Sequence, residues 1–191
     1  MYLGCATHGD NSPKDRTLEA PEIRAGGPDD ALATLNLLDR ATAWLTARGR
    51  SEQWGSKPWS SRPASVRRIR RYTTNMTVRV AELNDSFAGV CVLSETPQPY
   101  VAPMEERELY IMLLVTDRKL VGRGIGQALV SDAHAQAARR GIGLLRTDCY
   151  DGDGALVKHY QKLGFHPAQS LDVHTPGTDK PWPCKILEKR V

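Results

Sequence analysis

The sequence has little of what marks membrane, disulfide-bonded or metal-binding proteins. Its four cysteines lie far apart and form no C-x-x-C pair, which excludes a zinc finger and argues against a disulfide scaffold. No apolar run approaches the roughly 20 residues that span a bilayer. Residues 1–20 contain no apolar stretch behind a basic start, so we expect no secretory signal. These absences favour a cytoplasmic enzyme or binding domain with reduced thiols and no metal site.

The net charge of +4 is distributed unevenly along the chain. Every charged residue between Gln53 and Ala81 is basic, and the segment includes Arg67, Arg68, Arg70 and Arg71. At helical spacing these four arginines form a polar, solvated surface. A nucleic-acid-binding module is an alternative interpretation, but few aromatic residues lie beside the arginines to stack on bases. Nucleic acid is therefore not the partner that we expect.

The periodicity of apolar residues predicts a tail, residues 1–20, followed by a single domain over residues 21–191. Strands are expected at 22–24, 77–83, 87–93, 109–115, 144–149, 165–173 and 184–187. Helices are expected around 32–45, at 63–72, from the glycine-rich segment to residue 140, and at 155–163. Asn84, Asp85 and Ser86 predict a hairpin turn. This order is typical of a mixed α/β sheet.

The densest signal is the glycine-rich segment Val121-Gly122-Arg123-Gly124-Ile125-Gly126 between an apolar strand and a helix. Such glycines turn backbone N–H groups outward beside the positive helix end, where phosphates bind. A P-loop is excluded because no Lys follows the glycines. A Rossmann fingerprint would place Gln127 or Leu129 at its last glycine position, although Asp148 stands about 20 residues further on, as that motif requires. A dinucleotide site stays an alternative at this point.

The segment LLV-x4-LVGRGIGQALV and the later Tyr160-x-x-x-Gly164-Phe165 resemble the GNAT superfamily of acetyl-CoA-dependent N-acetyltransferases. The resemblance extends over roughly residues 22–190, and the order of elements is similar. Gly124 and Gly126 fill two positions of the family signature [Q/R]-x-x-G-x-[G/A], whereas Val121 stands where the family has Gln or Arg. The resemblance implies an α/β (α+β mixed) fold, with a mostly antiparallel sheet whose fourth and fifth strands splay apart between flanking helices.

The resemblance also implies acetyl-CoA as the acetyl donor, with no metal. A backbone N–H near Leu114 or Val115 would bind the acetyl oxygen. Tyr160 matches the general acid that protonates the departing thiolate, although a core aromatic is an alternative role for it. The pyrophosphate would be held by the amides of Val121, Gly122, Arg123, Gly124, Ile125, Gly126 and Gln127.

The base that accepts the amine proton is not identified by the sequence. Glu108 is the first candidate because it shares a strand face with Tyr110 and because some family members use a glutamate on this strand. An exposed charge at the start of the strand is the alternative role for Glu108. Asp148 and His134 are weaker candidates, and a chain of water molecules is an alternative. The acceptor is expected between the first two helices and the segments 49–63 and 97–104, against Trp54, Trp59, Tyr100 and Tyr110. For Trp54, Trp59 and Tyr100, packing that only stabilises the loop is the alternative role.

The leading hypothesis is therefore an enzyme, monomeric or homodimeric, that transfers acetyl from acetyl-CoA to a primary amine of a small molecule in a ternary complex. A non-catalytic acyl-CoA sensor of the same fold is the alternative, and the presence of Tyr160 argues against it. If the resemblance holds, the segment with the four arginines borders the acceptor cleft. We then expect Arg67, Arg68, Arg70 or Arg71 to attract a carboxylate or phosphate of the substrate or coenzyme.

Overall fold

One seven-stranded sheet organises the computed structural model, which describes residues 20–51, 54–174 and 181–191. The strands lie in the order β1-β2-β3-β4-β5-β7-β6, and every neighbouring pair is antiparallel except β4 and β5. Their bounds are β1 Glu22–Gly26, β2 Thr77–Leu83, β3 Ser86–Ser94, β4 Glu108–Thr116, β5 Leu144–Tyr150, β6 His166–Val173 and β7 Trp182–Arg190. The expected mixed, mostly antiparallel sheet is confirmed. The predicted tail lies, except for Ala20, outside the described residues.

Two pairs of helices cover the two faces of the sheet. The helices are α1 Ala31–Thr46, α2 Pro63–Asn75, α3 Ile125–Arg139 and α4 Ala155–Lys162. Val90 and Val92 of β3 pack in one core with α1 and α2, while Cys91 and Leu93 pack in the other core with α3 and α4. This division follows from the alternation of side chains along a strand. None of the helices in the described ranges is long and apolar enough to cross a membrane.

The turn between β2 and β3 confirms the predicted hairpin. Asn84 and Asp85 adopt positive φ angles of 51° and 56°, as the two central residues of a type I′ turn require. Asn and Asp tolerate this conformation better than most residues. The last strand is longer than its sequence predicts, because β7 lies between β5 and β6 and forms hydrogen bonds at both edges.

The sheet opens between β4 and β5. The two strands pair in parallel only over residues 108–111 of β4, which lie opposite residues 144–147 of β5. At Met112 the register between β3 and β4 shifts by one residue, so that β4 carries an extra residue there. Such a bulge bends a strand and ends its pairing. The remainder of β4 therefore pairs with β3 alone, and the splayed fourth and fifth strands that the resemblance implies are present.

Candidate active site

A cavity of about 370 Å³ lies where β4 and β5 separate. Of the residues singled out in the sequence, it brings together Trp54, Leu114, Val115, Gly126 and Tyr160. It is also lined by residues that the sequence did not single out for the site, namely Ala41, Trp44, Leu45, Arg50, Thr116, Arg118, Tyr150, Asp153, Ala155, Leu156 and His159. Helices from both faces of the sheet thus meet at this opening.

The glycine-rich segment leads from β4 into α3 beside this cavity. Gly122 and Gly124 have φ angles of +83° and +72°, in the left-handed region that favours glycine. An added Cβ atom at either position would meet no atom within 4 Å, so this side of the backbone is open. Ile125 begins α3 and is buried in the core, which anchors the segment. The free N–H groups of the first helical turn can therefore bind an anion.

The other predicted residues of this segment differ in their surroundings. Val121 is exposed, and Gln127 is exposed on the first turn of α3. The backbone N–H of Arg123, which was expected to hold the pyrophosphate, donates to the Leu120 carbonyl at 3.2 Å. It is therefore less free to bind a ligand. Arg123 therefore contributes first to closing the turn.

Tyr160 owes its position to the way α4 ends. Gly164 has a φ of +86°, and the Phe165 N–H donates to the Tyr160 carbonyl at 3.1 Å, a Schellman motif. The rings of Tyr160 and Phe165 meet edge to face with centroids 5.5 Å apart. The Tyr-x-x-x-Gly-Phe pattern thus encodes a helix end that fixes the tyrosine ring between core and cavity.

The environment of Tyr160 keeps its phenol protonated. Burial raises the pKa of Tyr160 above its ordinary value of 10, and the nearby Cys149, Cys91 and Asp148 add to this rise, while the Thr147 hydroxyl opposes it. A neutral phenol at the wall of a cavity can donate a hydrogen bond to a sulfur atom that gains negative charge. Tyr160 packs in the core, as its alternative role requires, and it also lines the cavity, so its role as a general acid stays a prediction.

Tyr100 and Tyr110 meet at the half-buried carboxylate of Asp148 rather than in the lining of the cavity. The Tyr110 hydroxyl donates to Asp148 at 2.7 Å, and the Tyr100 hydroxyl donates to the other oxygen at 3.0 Å. Burial raises the pKa of Asp148 above its ordinary 3.8, and the two hydroxyls partly oppose this rise. The pair of tyrosines therefore stabilises a carboxylate at the point where β5 leaves β4.

Glu108 lies at the closed end of the β4–β5 pair and is not among the residues that line the cavity. Its carboxylate accepts a hydrogen bond from Arg146 Nη1 at 2.8 Å, and both side chains are only 3% exposed. It also accepts from the Met104 N–H at 3.2 Å. The structure therefore gives Glu108 a structural ion pair and does not bring it to Tyr160. The strand position alone could not reveal a buried arginine opposite it.

Two other candidates lie away from the lining residues. Trp59 packs in the core between α1, α2 and the sheet, with its ring 5.9 Å from that of Trp54. His134 lies on α3, outside the lining. Cys149 of β5 adds no nucleophile, because burial raises its pKa to about 12 and keeps the thiol protonated at neutral pH. The described residues contain no group of three or more His, Cys, Asp or Glu side chains that could hold a metal ion.

The arginines of α2 face solvent and do not border the cavity. Because Ile69, Tyr72 and Thr73 are the buried residues of α2, the intervening side chains point outward. This outward-facing set comprises Arg67, Arg68, Arg70 and Arg71, none of which lines the cavity. The expectation that this segment supplies the basic residues of the cleft is therefore wrong. Arg50 and Arg118 line it instead.

Comparison with known protein families identifies the family to which this sequence belongs. The model of the acetyltransferase (GNAT) family matches residues 40–165, which is most of the chain. A search of curated protein sequences gave no match.

Solved structures show the same fold at low sequence identity. A GCN5-related N-acetyltransferase from Rhodopseudomonas palustris superposes with a TM-score of 0.70 at 20% identity, covering 91% of this chain and 97% of that one. The ribosomal-protein-S18-alanine N-acetyltransferase of Escherichia coli gives 0.65 at 16% identity, covering 90% and 94%. The yncA protein of Salmonella typhimurium, determined with its cofactor acetyl-CoA, gives 0.63 at 15% identity, covering 90% and 94%.

The motif, the opening between β4 and β5 and the family match agree with one another. The dinucleotide-binding alternative does not explain a loop that leads from a splayed strand into α3, whereas this arrangement is that of the matched family. The chain therefore belongs to the GNAT family of acetyltransferases and is an acyltransferase that uses acetyl-CoA.

Proposed function

We propose that the protein acetylates a primary amine of a small molecule by direct transfer from acetyl-CoA in a ternary complex. One observation carries the proposal: the buried, protonated Tyr160 lines the same cavity as the open end of β4 and Gly126 at the start of α3. Three free, buried cysteines in the described chain, Cys91, Cys149 and Cys184, agree with a reducing compartment, and we place the reaction in the cytoplasm.

The described residues fit acetyl-CoA. Gly122 and Gly124 present an open backbone beside the α3 N-terminus, which suits a pyrophosphate. The segment of β4 beyond Met112 pairs with β3 alone, so its other edge is available to an extended arm. When bound there, acetyl-CoA supplies an activated acetyl group and a thiolate leaving group.

Backbone and side-chain groups of this site would each assist a different step of acetyl transfer. The N–H of Leu114 or Val115, both at the cavity wall, would donate to the acetyl oxygen as negative charge develops on it. As the new C–N bond forms, the C–S bond breaks and its electron pair leaves with the sulfur. Tyr160 then donates its proton to that sulfur and takes up another proton from solvent through water. The proton that the amine loses leaves through the open mouth of the cavity by way of water.

The size of the cavity supports a small-molecule acceptor. A volume of about 370 Å³ lies within the roughly 300–1,000 Å³ typical of small-molecule sites. Its acceptor side is formed by Ala41, Trp44 and Leu45 of α1 together with Trp54, which supply an apolar wall. Such a wall favours binding of the uncharged amine, since desolvation disfavours an ammonium ion. The free base is the form that attacks.

The experiment is a release assay for coenzyme A thiol with a panel of primary amines, with the products identified by mass spectrometry. Tyr160→Phe removes one hydroxyl from a buried ring, and we expect it to lower kcat at least about tenfold, since general acids contribute roughly 10²–10⁴-fold. Binding of acetyl-CoA, measured by calorimetry, should remain. Tyr72→Phe is the matched control, because Tyr72 is a buried tyrosine in the other core.

Two results would contradict the proposal. Unchanged turnover in Tyr160→Phe would remove the general acid from it. Tight binding of acetyl-CoA with no thiol release for any amine would instead favour the sensor of acyl-CoA.

A further inference from the structure

Trp44 lines the cavity near the end of α1 and holds two guanidinium groups against its ring. The Cζ atom of Arg48 lies 4.0 Å from the ring centroid, and that of Arg118 lies 4.6 Å from it. Both distances are within the range of cation–π contacts. The Trp44 ring therefore contacts two positively charged groups, those of Arg48 and Arg118, which are far from each other in the sequence.

The local backbone places these arginines at the cavity mouth. Gly49 has a φ of +68° just after α1, and the Arg50 N–H donates to the Leu45 carbonyl at 3.0 Å, so the chain turns back toward the helix. Arg48 Nη1 donates to the Trp44 carbonyl at 3.4 Å. Arg118 follows β4 directly, in the short turn Arg118–Leu120. Arg48 thus also stabilises the end of α1, whereas Arg118 has no such role.

The positive charge at this mouth exceeds the negative charge that the described chain provides. Arg50 forms an ion pair with Asp153, whose carboxylate also accepts a hydrogen bond from the Ala155 N–H at 3.1 Å. Within the described ranges, Arg48 and Arg118 form no ion pair with a carboxylate. Counting the described residues alone, the mouth therefore carries unbalanced positive charge.

These cations disfavour one another. Although the Arg118 side chain is accessible to solvent, its partial burial lowers its pKa, and the charges of Arg50 and Arg48 lower it further. The charge of Arg118 in turn helps to lower the pKa of His159, which lines the opposite wall on α4 and is uncharged at neutral pH. A bound anion would relieve this repulsion at all of these groups. An uncharged ligand would leave it in place.

We propose that the amine acceptor carries an anionic group, a carboxylate or a phosphate, which Arg118 binds at the mouth of the cavity with support from Arg48 and Arg50. This inference rests on the proposed function, because it names the acceptor's chemistry for the same site. Trp44 supplies the apolar surface between that anion and the reacting amine. The specificity for the acceptor thus arises from α1 and its following turn rather than from the arginines of α2.

A phosphate of the coenzyme is the other anion that could reach Arg118, since the glycine-rich segment follows in the sequence. The neighbours of Arg118 favour the acceptor. Trp44 and Arg48 belong to α1 and the turn after it, on the sheet face opposite to α3. The experiment distinguishes the two sources by measuring KM separately for each substrate.

The test compares matched amines that differ in one charge: leucine with leucinamide, and phosphoethanolamine with ethanolamine. Amidation lowers the pKa of the amine, so solution reactivity favours leucinamide and works against the predicted preference. We expect the wild type to prefer the anionic member of at least one pair in kcat/KM by about tenfold, from charge-assisted hydrogen bonds to guanidinium groups. Raising the salt concentration should reduce this preference, since the cluster is exposed to solvent.

Arg118→Gln should raise KM for the anionic amine about fivefold and leave KM for its uncharged partner and for acetyl-CoA unchanged. Arg67→Gln, on the exposed side of α2, is the matched control and should behave as wild type. Equal use of the anionic and uncharged amines would overturn the inference and leave the proposed function intact. A rise in KM for acetyl-CoA alone would assign Arg118 to the coenzyme and also overturn it. No acetylation of any amine would defeat both.

Discussion

The buried ion pair between Glu108 and Arg146 gives a prediction that separates structure from catalysis. Arg146 Nη1 also donates to the Ala102 carbonyl at 3.2 Å, and its Nε lies 3.3 Å from Glu188 Oε1. Glu188 is 29% exposed, whereas Glu108 and Arg146 are 3% exposed. Replacing Arg146 therefore removes the cation from two carboxylates, those of Glu108 and Glu188. Replacing Glu108 removes one partner of Arg146, which keeps Glu188 as the other.

The magnitudes follow from this asymmetry. Arg146→Met leaves the Glu108 carboxylate buried without its cation, and we expect a loss of about 3–5 kcal/mol in the free energy of unfolding. Glu108→Gln keeps an acceptor for Arg146, which retains Glu188, so we expect a loss of about 1–2 kcal/mol. Because the pair closes the end of the sheet opposite to the cavity, turnover of the folded Glu108→Gln enzyme should stay within about twofold of wild type.

Urea denaturation followed by circular dichroism measures the stabilities, and thiol release measures turnover. Arg107→Met is the control, since Arg107 pairs with Glu95 at the surface with 61% and 44% exposure and should cost at most about 1 kcal/mol. A loss of less than about 1 kcal/mol in Arg146→Met would refute the structural role of the pair. A large loss of kcat in a stable Glu108→Gln enzyme would restore the glutamate as a base.

Two further predictions concern the coenzyme loop and the half-buried carboxylate of Asp148. Gly124→Ala places a Cβ atom on the open side of the backbone, where it meets no atom within 4 Å, at a φ of +72° that favours glycine. We expect it to raise KM for acetyl-CoA several-fold, and an unchanged KM would place the coenzyme elsewhere. Because burial raises the pKa of Asp148, the folded state binds its proton more tightly than the unfolded state does, and stability falls as pH rises from about 3.8 through the raised pKa. Asp148→Asn should remove this fall in urea denaturation at a series of pH values, and an identical pH dependence in both proteins would contradict the assignment.

Local patterns allowed much of the fold to be predicted. The hairpin at Asn84 and Asp85, the glycine-rich start of α3 and the tyrosine at the end of α4 each depend on residues close together in sequence. Their conformations follow from backbone preferences that a single sequence displays. The arrangement of β7 between β5 and β6 depends on pairing between distant strands, and its full length was therefore not predicted.

The sequence singles out the backbone segments beside the cavity and misses the side chains that come together from distant parts of the chain. Arg118 and Trp44 are 74 positions apart and meet only because α1 packs over the end of β4. No periodicity in the sequence links them. Conversely, the arginines of α2 lie close together in the sequence and were predicted to border the cleft, although helical geometry directs them to solvent. Charge density in the sequence thus indicated a surface, not the cleft.

A crystal structure with acetyl-CoA bound tests the central claim most directly. We predict that the pyrophosphate lies on the backbone between Gly122 and Gly126 and that the thioester lies between β4 and β5. Its sulfur should lie within about 4 Å of the Tyr160 hydroxyl, the reach of a hydrogen bond to sulfur. A sulfur placed outside the opening, or beyond the reach of Tyr160, would contradict the account.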